Sequence, residues 1–359
     1  MTAILRRLTL LALAVAALLS LGCTREARAR RVAAEGAALY DLGKYTEALP
    51  VLQKARDAGL QDGALLYQIG FLREVVEGKT DERDRTWGEA EPLLEKEIAA
   101  AGGATLERLY YLTKINSARG EFDRMRQFGR QAVEQFEKGP SPNTLTGQDW
   151  FRLGRVHDLM EEVSEAEAAY RRAMSSFAGT PGTNVAYQTL SLLRVGDLDY
   201  SAGRYTGAAD EYDQVLKLDP GNKQLKPFNH AITLLAAGRF EQAAARFDAD
   251  RDGTTSTESQ YGADLARKAK ETAPLEDKDS DGSSFNGMSY ELLTARLKEA
   301  AQDYRGVRAK YSMKPGDPLP AEVVPKERRF LGLLREHLVR QKQIQDFCLQ
   351  AGIADLVRR

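Results

Sequence analysis

Five alanines and one methionine recur along the first two thirds of the chain, at Ala48, Ala90, Met125, Ala166, Ala208 and Ala243. The steps between them are 42, 35, 41, 42 and 35 residues. That is a period of about 34 residues carrying extra segments of roughly seven in three places, one of them near Gly78 to Arg85. Each of the six lies in a stretch with apolar residues at helical spacing, preceded by a similar stretch across a Gly or polar turn. A hairpin of two such helices has an apolar stripe that it cannot shield alone. Neighbouring hairpins must therefore stack and share one continuous core.

The clearest copy is Trp150, Leu153, Gly154, Ala166, Tyr170 and Ala173. Gly196, Gly203, Tyr205, Ala208, Tyr212, Val215 and Pro220 form a second, and Gly36, Gly43, Tyr45, Ala48, Leu52 and Ala55 a third. Weaker copies run through Trp87, Ala90 and Leu94, through Leu109, Leu112, Gly120, Phe122 and Ala132, and through Gly238, Phe240, Ala243 and Phe247. These residues resemble the tetratricopeptide repeat. The resemblance implies an all-α fold, a right-handed α-α superhelix closed by a C-terminal helical cap. Gly and Ala at the helix crossings let backbones approach, and Trp, Tyr and Phe fill the space beside them. Trp150, Tyr170, Tyr205 and Tyr212 are accordingly core.

Residues 1–22 read as an export signal. Arg6 and Arg7 precede fourteen uncharged residues, Leu8 to Leu21, too few for a bilayer-spanning helix of about 20. The run ends in Leu19-Ser20-Leu21-Gly22-Cys23, which resembles the lipobox of bacterial lipoproteins, with Ser20 departing from the usual leucine. The resemblance implies acylation (palmitate or a similar chain) of Cys23 and, with Thr24 after it, placement at the outer membrane facing the periplasm. Cleavage after Ala27-Arg28-Ala29 is the alternative, in a basic stretch that suits the exporting peptidase poorly. Residues 23–31 are then a short basic tether, whose Arg25, Arg28, Arg30 and Arg31 can lie against anionic headgroups. Once Cys23 is lipidated, Cys348 has no partner for a disulfide.

The repeat array is expected over 32–250, in about six copies. Residues 251–287 form an acidic region with one short helix, Glu258 to Lys270. Asp248-Ala-Asp250-Arg-Asp252-Gly253 and Asp277-Lys-Asp279-Ser-Asp281-Gly282 both match the start of a calcium loop, where alternate carboxylates converge on the ion. Ser259 and Met288 stand where such loops place a bidentate Glu, so any Ca²⁺ site at these six aspartates is weak, and solvated acidic turns are the plain alternative. No other cofactor is implied. Residues 288–359 should be helical, through Leu292, Leu293, Leu297, Ala300, Ala301 and Tyr304. A break follows at Pro315 to Pro325, then two amphipathic helices, Lys326 to Gln343 and Ile344 to Val357, which would cap the array.

Function follows partly by exclusion. Lys and Arg number 51 against 52 Asp and Glu, so there is no positive surplus to hold nucleic acid. With three histidines and no Gly-x-Ser-x-Gly, Gly-x-Gly-x-x-Gly or His-Glu-x-x-His motif, no catalytic constellation is expected, and His157 and His230 read as core. The family resemblance implies a concave groove that takes peptides or partner helices. Carried onto this chain, the groove holds Tyr40, Tyr67, Phe71, Tyr110, Lys114, Phe151, Arg155, Asp158, Asp197 and Tyr200. Several of these aromatics could instead support the adjacent repeat. The expectation is a non-catalytic scaffold or adaptor, lipid-anchored in the bacterial envelope, binding other envelope proteins of an assembly or secretion-type complex. The alternative is a calcium-stabilised envelope module for a polysaccharide or small ligand.

Overall fold

A computed structural model of the chain describes residues 25–100, 103–139, 144–178, 185–222, 224–250, 256–272, 274–311 and 320–350. Among these the regular structure is helical, apart from one isolated bridge between Lys278 and Ser284. The signal segment and Cys23 lie outside the described residues.

The helices are α1 (25–41), α2 (Tyr45–Asp57), α3 (Gly63–Glu77), α4 (Thr80–Ala99), α5 (Leu106–Ala118), α6 (Phe122–Ala132), α7 (Gly147–Leu159) and α8 (Val163–Ala178). They continue as α9 (Val185–Ser201), α10 (Tyr205–Leu218), α11 (Pro227–Ala236), α12 (Phe240–Asp248), α13 (Ser256–Thr272), α14 (Tyr290–Lys310) and α15 (Val323–Gln350). Two compact units divide them, Met1–Arg194 and Val195–Arg359, and the boundary falls within α9.

Local chemistry sets the helix ends. Asp62 caps α3 by accepting from the Leu65 amide at 2.8 Å. Thr146 and Asp149 form a reciprocal capping box at the start of α7, satisfying amides that the helix leaves open. Inside the hairpins the turn is repeated: Gly43, Gly120, Gly203 and Gly238 are all left-handed, with φ of 72°, 73°, 75° and 75°. Glu161 takes the same role in the α7–α8 turn at φ 65°, where a Cβ is strained.

The six recurrent positions are all buried, from Ala48 to Ala243, Met125 included. Each crossing pairs a small residue with a large one. A methyl group placed on Gly70 would lie 2.5 Å from Trp87 Cδ1, on Gly154 2.6 Å from the Tyr170 ring, and on Gly196 2.5 Å from the Tyr212 ring. Those distances lie far inside van der Waals contact, so the rings occupy the space that glycine vacates.

The structure corrects several boundaries. Residues 25–31 are not a tether: they are the first turns of α1, and Ala29 is already buried with Leu49, Leu60 and Ile69. The extra residues near Gly78 to Arg85 form no loop either. Gly78 turns the chain at φ 70° and α4 begins two residues later, running for 20 residues. The short acidic-region helix extends to Ser256–Thr272. Among the described residues one helix follows the Pro-rich break, since α15 runs through 343 and 344 with no Gly, Pro or cap to stop it there.

That last helix also lies differently from a simple end cap. α15 packs on α11, α13 and α14, burying Leu331 and Val339 among Ala231, Leu235, Ala263 and Ala266. The Tyr200 hydroxyl donates to the Val339 carbonyl at 3.0 Å, and Lys342 Nζ sits 4.2 Å from the Tyr200 ring centre. Within the second unit, the face carrying Tyr200 is covered by the chain's own helix.

Candidate functional site

Aromatic rings from both helices of successive hairpins line the inner face of the first unit. Tyr40 on α1, Tyr45 on α2 and Phe71 on α3 form a triad with ring centres 5.6 Å apart in each pair. Tyr67 stacks on Trp87 at 5.2 Å and on Tyr111 at 3.8 Å, with Tyr110 edge-on at 6.4 Å. Phe151 on α7 meets Tyr170 and Tyr187 at 5.8 and 5.3 Å. These rings lock consecutive hairpins together.

A polar layer runs through the same face. Arg152 Nη2 donates to Glu107 at 2.9 Å, the Tyr111 hydroxyl donates to the same carboxylate at 2.8 Å, and Gln68 Nε2 donates to Tyr111 at 3.2 Å. The Tyr187 hydroxyl donates to Asp41 at 2.9 Å. The start of α9 is thereby tied to the end of α1, and the face is closed at that level.

The ten groove residues expected from the sequence divide accordingly. Tyr67, Phe151 and Tyr200 are buried, so they support neighbouring helices and cannot touch a partner. Tyr40, Phe71 and Tyr110 are half-buried, as are Lys114, Arg155 and Asp158. Asp158 accepts from Arg155 Nη1 at 2.6 Å and from the Tyr170 hydroxyl at 3.3 Å. Asp197 belongs to the second unit with Tyr200, is exposed, and accepts from Tyr212 at 2.6 Å. Six of the ten thus remain partly accessible in the first unit, and Tyr110, Lys114, Arg155 and Asp158 are the ones on α5 and α7. Tyr111, Arg152, Glu107 and Tyr187 were missed. The charged pair Glu107 and Arg152 on otherwise apolar stripes was the signal that could have found them.

Lys114 is the unusual member. It lies one turn beyond Tyr110 and has no hydrogen bond or ion pair among the described residues. Burial, followed by the neighbouring cations Arg155 and Arg194, lowers its pKa from 10.5 to about 8. A desolvated ammonium beside two guanidiniums favours any anion brought to it.

Among the described residues, the aspartates expected to hold calcium do not converge. Asp279 is enclosed by arginines, accepting from Arg329 Nε at 2.8 Å with Arg296 Nε at 3.3 Å. Asp281 pairs with Arg296 at 3.3 Å, and Asp277 is exposed. Asp248 pairs with Arg267, Asp250 accepts from Ser259 Oγ at 2.7 Å, and Asp252 lies outside the described residues. Among the described residues no three His, Cys, Asp or Glu side chains form a metal-sized group. A cation would have to displace guanidinium partners already in place, which corrects the calcium expectation for the second loop.

His157 is core, as expected, and is held between two carboxylates. Its Nδ1 lies 2.6 Å from Glu162 and its Nε2 2.8 Å from Glu137. Burial lowers its pKa, but the hydrogen bonds to the two carboxylates outweigh that and raise it above 6.5. Glu137 is lowered below 4.5, first by the hydrogen bond to His157. Histidine's contribution is complete below its unfolded value and is lost as pH rises through the folded one. Glu137 contributes above its unfolded value and loses it as pH falls. Urea unfolding should therefore show wild type exceeding His157→Gln most between about pH 4.5 and 6.5, with the gap closing toward pH 9. A gap that is constant from pH 6 to 9 would remove the imidazolium from the core.

No family model and no curated protein matches the chain. Similar solved structures include two at low identity. The crystal structure of the apo form of RapI matches with a TM-score of 0.44 and 11% identity, over 88% of this chain and 99% of that one. The assembly chaperone of RpL4, Acl4 (residues 1–338), matches with a TM-score of 0.34 and 16% identity, over 68% and 96%.

Proposed function

We propose that the protein is a non-catalytic protein-interaction scaffold whose first unit receives an acidic segment of a partner along Tyr110, Lys114 and Arg155. The observation that carries this reading is Lys114, a half-buried cation with no ion-pair partner among the described residues, on a face rich in aromatic rings. A carboxylate placed there gains a desolvated, charge-assisted contact, while the flanking rings offer area to the apolar part of a peptide. The lipobox-like Leu19 to Cys23 supports anchoring at the bacterial envelope, with envelope proteins as partners. Palmitate labelling that disappears in Cys23→Ala tests that anchor, and labelling that persists in the variant sinks it.

For the face itself, an array of peptides graded in Asp and Glu content should show retention that rises with acid content. Lys114→Glu should weaken the best binder at least tenfold. Lys114→Met should raise the melting temperature while weakening binding, since a buried unpartnered charge costs stability that a methionine of similar length restores. Because the folded pKa is lowered, wild type should also gain stability relative to Lys114→Met as pH rises from about 8 toward 10.5. Equal affinities for wild type and Lys114→Glu would end this assignment.

A further inference from the structure

The second unit contains a cavity that the stacking of hairpins does not explain. α13, α14 and α15 leave between them an apolar slot of about 610 Å³, within the roughly 300–1,000 Å³ typical of ligand sites. Its walls are Leu265 from α13, Tyr304 from α14, and Phe330, Leu334 and Leu338 from α15. The lining of α15 extends from Glu327 through Gln341. From Phe330 to Gln341 that is roughly 16 Å of helix at about 1.5 Å per residue, a length that suits an extended chain.

One end of the slot is polar. The Glu327 carboxylate there is 0% exposed and its bonding is complete. It accepts from the Tyr304 hydroxyl and, at 3.0 Å, from Thr272 Oγ1, with Lys268 Nζ 3.4 Å away. It has no need of a cationic ligand. Arg308 differs. Its guanidinium donates to the Tyr304 hydroxyl at 3.3 Å and rests 5.6 Å from that ring's centre, with no carboxylate partner among the described residues. Of the other charged residues lining the slot, Lys268 is paired with Glu327 and Asp264 with Arg267, so Arg308 is the one whose charge is left uncompensated. Aliphatic walls leading to an unpaired guanidinium complement one kind of molecule.

We propose that this slot binds a free long-chain carboxylate, its alkyl chain lying along Phe330, Leu334 and Leu338 and its head group against Arg308. The chain removes apolar wall from water, and the carboxylate gives Arg308 the bidentate partner it lacks. This site lies in the second unit and does not depend on the acidic-segment reading of the first.

The test is calorimetric titration of the full chain with dodecanoate, dodecanol and dodecylammonium below their aggregation thresholds. Dodecanoate should bind saturably at one site, at least tenfold more tightly than either neutral or cationic analogue. Leu334→Trp, which fills the slot, should abolish binding. Arg308→Glu alters a half-exposed residue and spares the core, so it keeps the question open to an answer if the tryptophan variant fails to fold. It should weaken dodecanoate at least tenfold and leave dodecanol unchanged. The proposal is overturned if dodecanoate shows no saturable binding. It is equally overturned if Arg308→Glu binds dodecanoate like wild type, or if dodecylammonium binds as tightly as dodecanoate.

Discussion

Trp87→Ala is expected to lower the unfolding free energy of the first unit by about 3–5 kcal/mol, the usual range for removing a large buried aromatic. Trp87 is 1% exposed and occupies the space left by Gly70. Its Nε1 donates to the Tyr67 carbonyl at 2.9 Å, and its ring lies parallel to Tyr67, within 2°. Arg83 covers the other side, 5.0 Å from the ring centre. Tyr67 in turn stacks on Tyr111, so the cavity would open beneath the inner face. Trp87→Phe keeps most of the area and drops the hydrogen bond, a smaller loss of about 1 kcal/mol. Urea unfolding followed by far-ultraviolet circular dichroism measures both, and a Trp87→Ala loss below that of Trp87→Phe would contradict the packing described.

The second large effect comes from two glycines with opposite expectations. Gly332 lies on α15 where a Cβ would come 2.2 Å from the Glu276 carbonyl oxygen and 3.1 Å from the Phe285 ring. Backbone cannot swing aside as a side chain can, so Gly332→Ala should cost about 1–3 kcal/mol through overpacking. It should also separate α15 from the turn containing Phe285. Gly306, about one turn before the end of α14, has nothing within 4 Å of its would-be Cβ. There alanine only removes glycine's backbone freedom, and Gly306→Ala should stabilise by about 1 kcal/mol. Thermal unfolding of the two variants side by side checks the pair. A Gly332→Ala variant as stable as wild type, or more so, would mean that α15 does not sit against Glu276.

The helical hairpins were legible because their signal is steric and local. A glycine facing an aromatic one helix later, as in Gly154 and Tyr170 or Gly196 and Tyr212, can be read from spacing alone. The turns were legible for a similar reason, since Gly43, Gly120, Gly203 and Gly238 hold a conformation that other residues adopt at a cost. The candidate site was only half visible. Spacing places Tyr67 and Lys114 on one face equally well. What separates them is burial by Trp87 and Tyr111 in one case and the lack of an ion-pair partner among the described residues in the other, and both depend on residues distant in sequence. The calcium-like loop failed for the same reason: Asp279 meets Arg329 fifty residues later, and no local pattern announces that partner. The length of α15 was misjudged because helical periodicity continues through 343 and 344, where a break was expected without any breaking residue.

The bond from Tyr187 to Asp41 joins residues 146 apart, linking the last and first helices of the first unit. In an open stack of repeats each terminal hairpin can fray independently, because it touches one neighbour only. Here the end of α1 cannot leave without breaking its tie to α9, so unzipping from the margin is opposed. Amide hydrogen exchange across α1 to α8 should then approach a single common rate instead of a gradient that slows toward the middle. A stretch of chain tied at both ends opens as a whole or stays shut, and its inner surface keeps one shape for whatever comes to meet it.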